Sequence, residues 1–223
     1  MSRLLILRPE PAASASAAAA TARGLNAHVH PLFAPQPIDW TPPPPEDFDA
    51  FLLTSANGAR YAGPDLARYR HLPAYAVGAA SARALHAAGF ADVTAGTADG
   101  SAIAARIAHD GHRAVLHLAG KRTAPLDPGP LHITRIAVYA MVAAPEADAL
   151  PGLVRPGDVL LIHSPRAGER AAALLPPSLR GTVHIVAISR AAALAAGDGW
   201  ASIQTAQQPL DDDMLALAAR LCK

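Results

Sequence analysis

The sequence predicts an α/β protein of two similar lobes, each a parallel sheet flanked by helices. Two observations predict this. Short apolar runs alternate with helix-forming stretches along almost the whole chain, the pattern of parallel strands and crossover helices. The pattern also repeats: Asp49–Tyr61, DAFLLTSANGARY, returns as Asp158–Arg170, DVLLIHSPRAGER, with Asp49 and Asp158, and Ser55 and Ser164, each 109 residues apart.

Taken in order, Leu4–Leu7 is a buried strand stopped by Arg8-Pro9. Pro11 to Arg23 is an Ala-rich helix with Gly24 as its stop. His28–Leu32 is a second strand. The prolines from Pro35 to Pro45 then argue for an extended linker over Ala34–Glu46. Strands follow at Asp49–Thr54, Ala74–Val77, Asp92–Ala95, Arg113–Leu118 and Ile133–Val142. Helices start near Asn57 and cover Ser81–Ala88 and Ser101–His109. Pro125, Pro128 and Pro130 leave at most a short, irregular helix after Arg122, and Pro145 to Pro156 reads as a second linker. Beyond it come strands at Asp158–His163, Val183–Ser189 and Ser202–Thr205. Helices cover Ala191–Ala196 and Asp211–Leu221, the last with three acids in its first turn, as the helix dipole favours.

The halves also match elsewhere. Leu7 answers Leu118, Val77 answers Ile188 and Gly78 answers Ser189, all at a spacing of 111, while Gly89-Phe90 answers Gly199-Trp200 at 110. The linkers, near 34–46 and 143–156, therefore divide the chain into one lobe at 36–142 and a discontinuous lobe combining 1–34 with 146–223.

Composition narrows the function. Hydrophobic residues are 51% and charged residues 17%, so a packed core is expected rather than disorder. Net charge is +1 and no basic stripe occurs, which argues against nucleic acid. No run reaches the ~18 apolar residues of a membrane span. Leu4–Leu7 is too short for a signal peptide, and the single cysteine, Cys222, fits a reducing cytoplasm. Walker, G-x-G-x-x-G and G-x-S-x-G motifs are absent. His28 and His30 share a strand face without a third metal ligand, and are read as solvent or core histidines. A strand ending in a hydroxyl residue at a helix start presents free N–H groups and a positive dipole end, a place for an anion. Two such places suggest one anionic ligand held between two lobes.

A set of short motifs carries a resemblance. These are Arg8-Pro9 after the opening strand, Phe51–Ser55 before a helix, Tyr75–Gly78 with Ser81 three residues on, Leu118–Lys121, Ala137–Tyr139 and Leu161–Pro165. In this order and spacing, over nearly the whole chain, they resemble the uroporphyrinogen-III synthase family. The resemblance implies two α/β lobes joined by a two-stranded linker. It also implies a cytoplasmic enzyme that cyclises hydroxymethylbilane, a linear tetrapyrrole with eight carboxylates, losing water and inverting ring D. No metal or organic cofactor is implied, and a monomer is expected.

Tyr139 aligns with the family's proposed proton donor to the leaving hydroxyl. It is equally a half-buried strand tyrosine. Thr54, Ser55 and Ala56, with Ser164, Pro165 and Arg166, are candidate carboxylate contacts; Ser55 as a simple N-cap is the alternative. Gly78 with Ser81, Gly120 with Lys121, and Arg8 complete the substrate-binding candidates, together with Ser189. The stretch Ser189–Ala192 departs from the family's Gly and Thr pattern. Two rivals stand beside the synthase: a non-enzymatic two-lobed module binding an anionic metabolite, and a homologue that has lost activity.

Overall fold

The computed structural model describes residues 2–96 and 99–222. Its elements run β1 (Leu4–Ile6), α1 (Ala12–Thr21), β2 (Ala27–Val29), β3 (Phe33–Pro37), β4 (Ala50–Leu53), α2 (Ala56–Tyr61), β5 (Ala74–Val77), α3 (Gly78–Ala87), β6 (Val93–Gly96) and α4 (Gly100–His109). They continue with β7 (Ala114–Gly120), β8 (His132–Ala143), α5 (Leu150–Leu153), β9 (Val159–Ile162), α6 (Pro165–Leu174), α7 (Pro177–Arg180), β10 (His184–Ala187), α8 (Arg190–Ala196), β11 (Ser202–Thr205) and α9 (Asp211–Leu221).

The chain divides into two compact units, Met1–Ala34 with Val142–Lys223, and Pro35–Met141. Unit 1 holds a five-stranded sheet in the order β11-β10-β9-β1-β2, and the second sheet runs β3-β8-β7-β4-β5-β6. The pairs β1–β2, β1–β9, β9–β10 and β10–β11 are parallel, as are β4–β5, β4–β7, β5–β6 and β7–β8. The series β11-β10-β9-β1-β2 is the series β6-β5-β4-β7-β8 repeated, which gives the spacings of 109 to 111 a structural basis. Leu7 directly follows β1 and Leu118 lies within β7, while Val77 ends β5 and Ile188 directly follows β10.

The continuous apolar runs are explained by burial on both faces. Every residue of β1, β4 and β9 is buried. In unit 1, Leu4, Ile6, Val159, Leu161 and Val186 pack with Ala13 and Ala20 of α1 and Met214, Leu215 and Ala218 of α9. In unit 2, Phe51, Leu53, Leu116 and Leu118 meet Ala82 and Leu85 of α3. Ala50, Leu52 and Val115 meet Ile103, Ala104 and Ile107 of α4 on another face.

The repeated aspartates are anchors of the sheets. Asp49 accepts the backbone N–H groups of Arg113 and Ala114 at the start of β7. Asp158 accepts those of Arg3, before β1, and Arg155. Asp158 is also buried and carries the Arg3 guanidinium at 2.6 Å.

Three stretches differ from expectation. Ala34–Glu46 is not wholly extended linker: Phe33–Pro37 is β3, at the edge of its sheet where proline costs no ladder bond. Ile38 N–H donates to Val138 O and Ala144 N–H to Leu32 O, so the strands that carry the chain between units run antiparallel. The span 145–156 contains a 3-10 turn at Ala147–Ala149 and α5, because Pro151 sits at a helix start, where its missing N–H is harmless. Pro64–Tyr69, unassigned in the sequence, is a 3-10 helix that buries Leu66 and Tyr69.

Candidate functional site at the strand ends

In parallel α/β sheets, ligands bind beyond the carboxyl ends of the strands. The candidate residues fall there in each unit. In unit 2, Thr54, Ser55 and Ala56 follow β4, Gly78 follows β5 and Gly120 closes β7, three neighbouring strands. In unit 1, Arg8 follows β1, Ser164, Pro165 and Arg166 follow β9 and Ser189 follows β10, again three neighbours in matching order.

Ser55, Ser164 and Ser189 are all N-caps. Their hydroxyl oxygens accept from Asn57 N–H at 3.3 Å, Ala167 N–H at 3.2 Å and Ala192 N–H at 3.2 Å. The oxygens are committed to capping, but each hydroxyl retains its proton as a donor. Ser189 thus keeps the capping geometry of Ser164, in the same unit, despite its divergent surroundings. Gly78 opens α3 at φ 78°, a conformation that a side chain disfavours. Ser81, one turn later, is only 3% exposed.

Gly120 and Tyr139 are register partners across β7 and β8, and Lys121 N–H donates to Tyr139 O at 2.8 Å. The glycine makes room for the phenol: a Cβ at 120 would lie 2.9 Å from Tyr139 Cζ and 3.0 Å from its hydroxyl. The Tyr139 ring is buried beside Tyr61 at 5.9 Å between centroids. Its hydroxyl has no hydrogen-bond partner among the described residues, leaving it able to serve a ligand.

Three side chains expected at the site are engaged within their own unit. Thr54 Oγ1 lies 3.0 Å from Nε2 of His117. Arg8 Nη1 reaches Asp211 Oδ1 and Ser16 Oγ. Arg166 stacks over Phe33, 4.2 Å from the ring centroid.

Residues that sequence reasoning missed lie behind these. His163, the counterpart of Thr54 in the repeat, bonds Asp211 at 2.8 Å. Burial would raise the Asp211 carboxyl, but the hydrogen bonds from His163 and Ser16, with the Arg8 charge beside them, hold it below the usual range. His117 is 1% exposed. Burial, with the Arg135 charge adding to it, pushes its imidazole down to about 4. Both histidines keep a buried Nδ1 with no hydrogen-bond partner. The signal available in the sequence was weak: a histidine inside or next to an otherwise apolar strand, at Leu116-His117-Leu118 and Ile162-His163. No group of three or more His, Cys, Asp or Glu among the described residues could hold a metal ion. No helix among them is long and apolar enough to cross a membrane.

The class these features define is a two-unit α/β protein with polar and glycine residues gathered at the carboxyl ends of parallel strands. The family model for uroporphyrinogen-III synthase HemD matches residues 14–216, and the chain belongs to that family. Among solved structures it is similar to the uroporphyrinogen-III synthetase of Helicobacter pylori, at 16% identity and a TM-score of 0.69, covering 99% of this chain and 100% of that one. It is also similar to a mutant uroporphyrinogen III synthase from the extremely thermophilic bacterium Thermus thermophilus, at 19% identity and a TM-score of 0.48, covering 99% and 98%. No curated protein sequence matches.

Proposed function

We propose that this chain is a cytoplasmic uroporphyrinogen-III synthase, a hydro-lyase that closes hydroxymethylbilane with inversion of ring D. The observation that carries the reading is the family match over residues 14–216. It is supported by the unpartnered Tyr139 phenol above Gly120 at the end of β7. In this reading Tyr139 gives its proton to the ring A hydroxyl, which leaves as water and generates an azafulvene cation. The substituted carbon of ring D attacks, the spiro intermediate fragments and recloses, and the proton released on rearomatisation returns to the phenolate. The bilane closes unaided to the symmetric isomer, so the protein's task is to hold one folded conformer and assist departure of the hydroxyl.

The substrate's carboxylates are the expected partners of the strand ends. In unit 2 these are Thr54–Ala56, Gly78, Ser81, Gly120 and Lys121; in unit 1 they are Arg8, Ser164–Arg166 and Ser189. The test supplies hydroxymethylbilane to the purified protein and separates the product isomers. Formation of the type III isomer faster than spontaneous closure supports the reading. The symmetric isomer alone, at the spontaneous rate, refutes it and leaves a binding protein or an inactive homologue.

A further inference from the structure

The loop that returns the chain from β7 to β8 covers a cavity of ≈ 410 Å³ in unit 2. Pro125, Leu126, Leu131 and Ile133 form apolar walls, and His117 and Arg135 contribute the nitrogen groups. None of the lining residues is acidic. His117 and Arg135 are register partners on the parallel strands β7 and β8. Arg135 is exposed, and its Nη1 donates to Gly120 O at 3.1 Å. The other donors of its five-donor fork have no partner among the described residues.

His117 is the unusual member. A buried imidazole nitrogen without a partner is costly, and such a group calls for an explanation. Burial holds the ring neutral at physiological pH. When the Thr54 hydroxyl donates to Nε2, the ring proton sits on Nδ1 and a donor is left unused. A cation and a neutral donor over apolar walls suit one chemistry, an anionic head on an apolar body. Carboxylate matches the planar fork of arginine.

We propose that this cavity binds a small organic carboxylate with an apolar body, Arg135 pairing with the carboxylate and His117 donating to it. The chemistry of the cavity stands apart from the activity proposed above; only the source of the carboxylate rests on that reading. The source is either an acid side chain of the tetrapyrrole or a separate small acid.

The test uses the full chain labelled with ¹⁵N-histidine and follows His117 by long-range ¹H–¹⁵N correlation, assigned with His117→Gln. The probes are pyrrole-3-propanoate and its uncharged amide. The acid is expected to shift the His117 ring nitrogens and to raise the pH at which the ring titrates, whereas the amide is not. Arg135→Gln, at an exposed position, weakens acid binding about tenfold or more, since hydrogen bonds to charged groups are the strong ones; Arg135→Lys restores part of the loss. Leu126→Trp, on the covering loop, fills the cavity and abolishes the shift. A His117 signal unmoved by millimolar acid, or equal binding by acid and amide, overturns the proposal. Displacement of the acid by uroporphyrinogen III assigns the source to a tetrapyrrole side chain, and failure to displace it assigns a separate acid; the cavity proposal stands in both cases. The isomer assay on unmodified protein reads the proposed activity independently, so either idea can fail alone.

Discussion

Acid should weaken unit 2 through His117, and the size of the effect follows from its burial. In the unfolded chain an imidazole titrates near its usual 6.5, whereas in the fold it remains neutral down to about 4. Above pH 6.5 both states carry the same neutral ring and stability is undiminished. As pH falls below 6.5 the unfolded state takes up a proton that the folded state refuses, so stability drops by about 1.4 kcal/mol per pH unit. The loss levels off near pH 4, after a total of about 3 kcal/mol. His117→Leu removes this dependence. It also removes the Thr54 bond, a loss of about 1 kcal/mol that is the same at every pH. Hydrogen-bonded carboxylates such as the half-buried Asp211 weaken the protein in acid too, but equally in both variants, so the difference between them isolates His117. The assay is urea unfolding from about pH 7 to about pH 4 read by Trp40 fluorescence. Trp40 belongs to the same unit as His117 and donates to Ala62 O, and a Trp200→Phe background silences the other tryptophan. Wild type should lose its advantage steadily through the window while His117→Leu does not. Parallel curves would mean that the imidazole is charged in the fold or solvated, and the burial argument would be wrong.

Further expectations concern other parts of the molecule. Tyr139→Phe retains the ring beside Tyr61 but removes the proton donor, and should slow type III isomer formation at least tenfold with the fold intact; an unchanged kcat would remove Tyr139 as the acid. Gly168→Ala places a Cβ 2.8 Å from Ala192 O and 2.9 Å from Ala196 N, so α6 and α8 must part, costing roughly 1–3 kcal/mol in urea unfolding. Gly152→Ala, with no atom within 4 Å, should be neutral or slightly stabilising in the same measurement. Arg3→Leu leaves the buried Asp158 carboxylate without its cation and should cost about 3–5 kcal/mol, part of which Asp158→Asn restores in the double variant.

Much of the fold was legible because its signals are local. Apolar runs such as Ala50–Leu53 and Val159–Ile162 are long enough to mark buried parallel strands. The repeat of Asp, strand and Ser exposes the shared strand order before any contact is known. Ser202–Thr205 and Asp211–Leu221 begin and end where sequence places them. β3 escaped because Phe-Ala-Pro-Gln-Pro looks like a linker, and only its position at a sheet edge tolerates it. The candidate site was legible as far as its backbone: strand ends, caps and glycines. Its side-chain partners were not. Thr54 and His117 are 63 residues apart, and His163 and Asp211 are 48, pairs that no periodicity links. Asp211 looked like an ordinary acid at a helix start, and its real partners become visible only when β1, β9 and α9 are brought together. Close packing was equally hidden. Gly168 reads as an unremarkable helix residue until the backbone of α8 is found against it.

The antiparallel pairing of β3 with β8 has a consequence for how the chain folds. Unit 1 is assembled from both ends of the sequence, since β1 must insert between β2 and β9. Joining β1 to β9 across an unstructured excursion of roughly a hundred residues would cost on the order of 4 kcal/mol in chain entropy. Unit 2 is that excursion, and it is contiguous from Pro35 to Met141. Once it folds, the bond from Ile38 N–H to Val138 O fastens its two exits side by side, and the long loop shrinks to a short one. The inserted unit thereby acts as a clasp, favouring a vectorial order in which the middle of the chain folds first and the two ends then close upon each other.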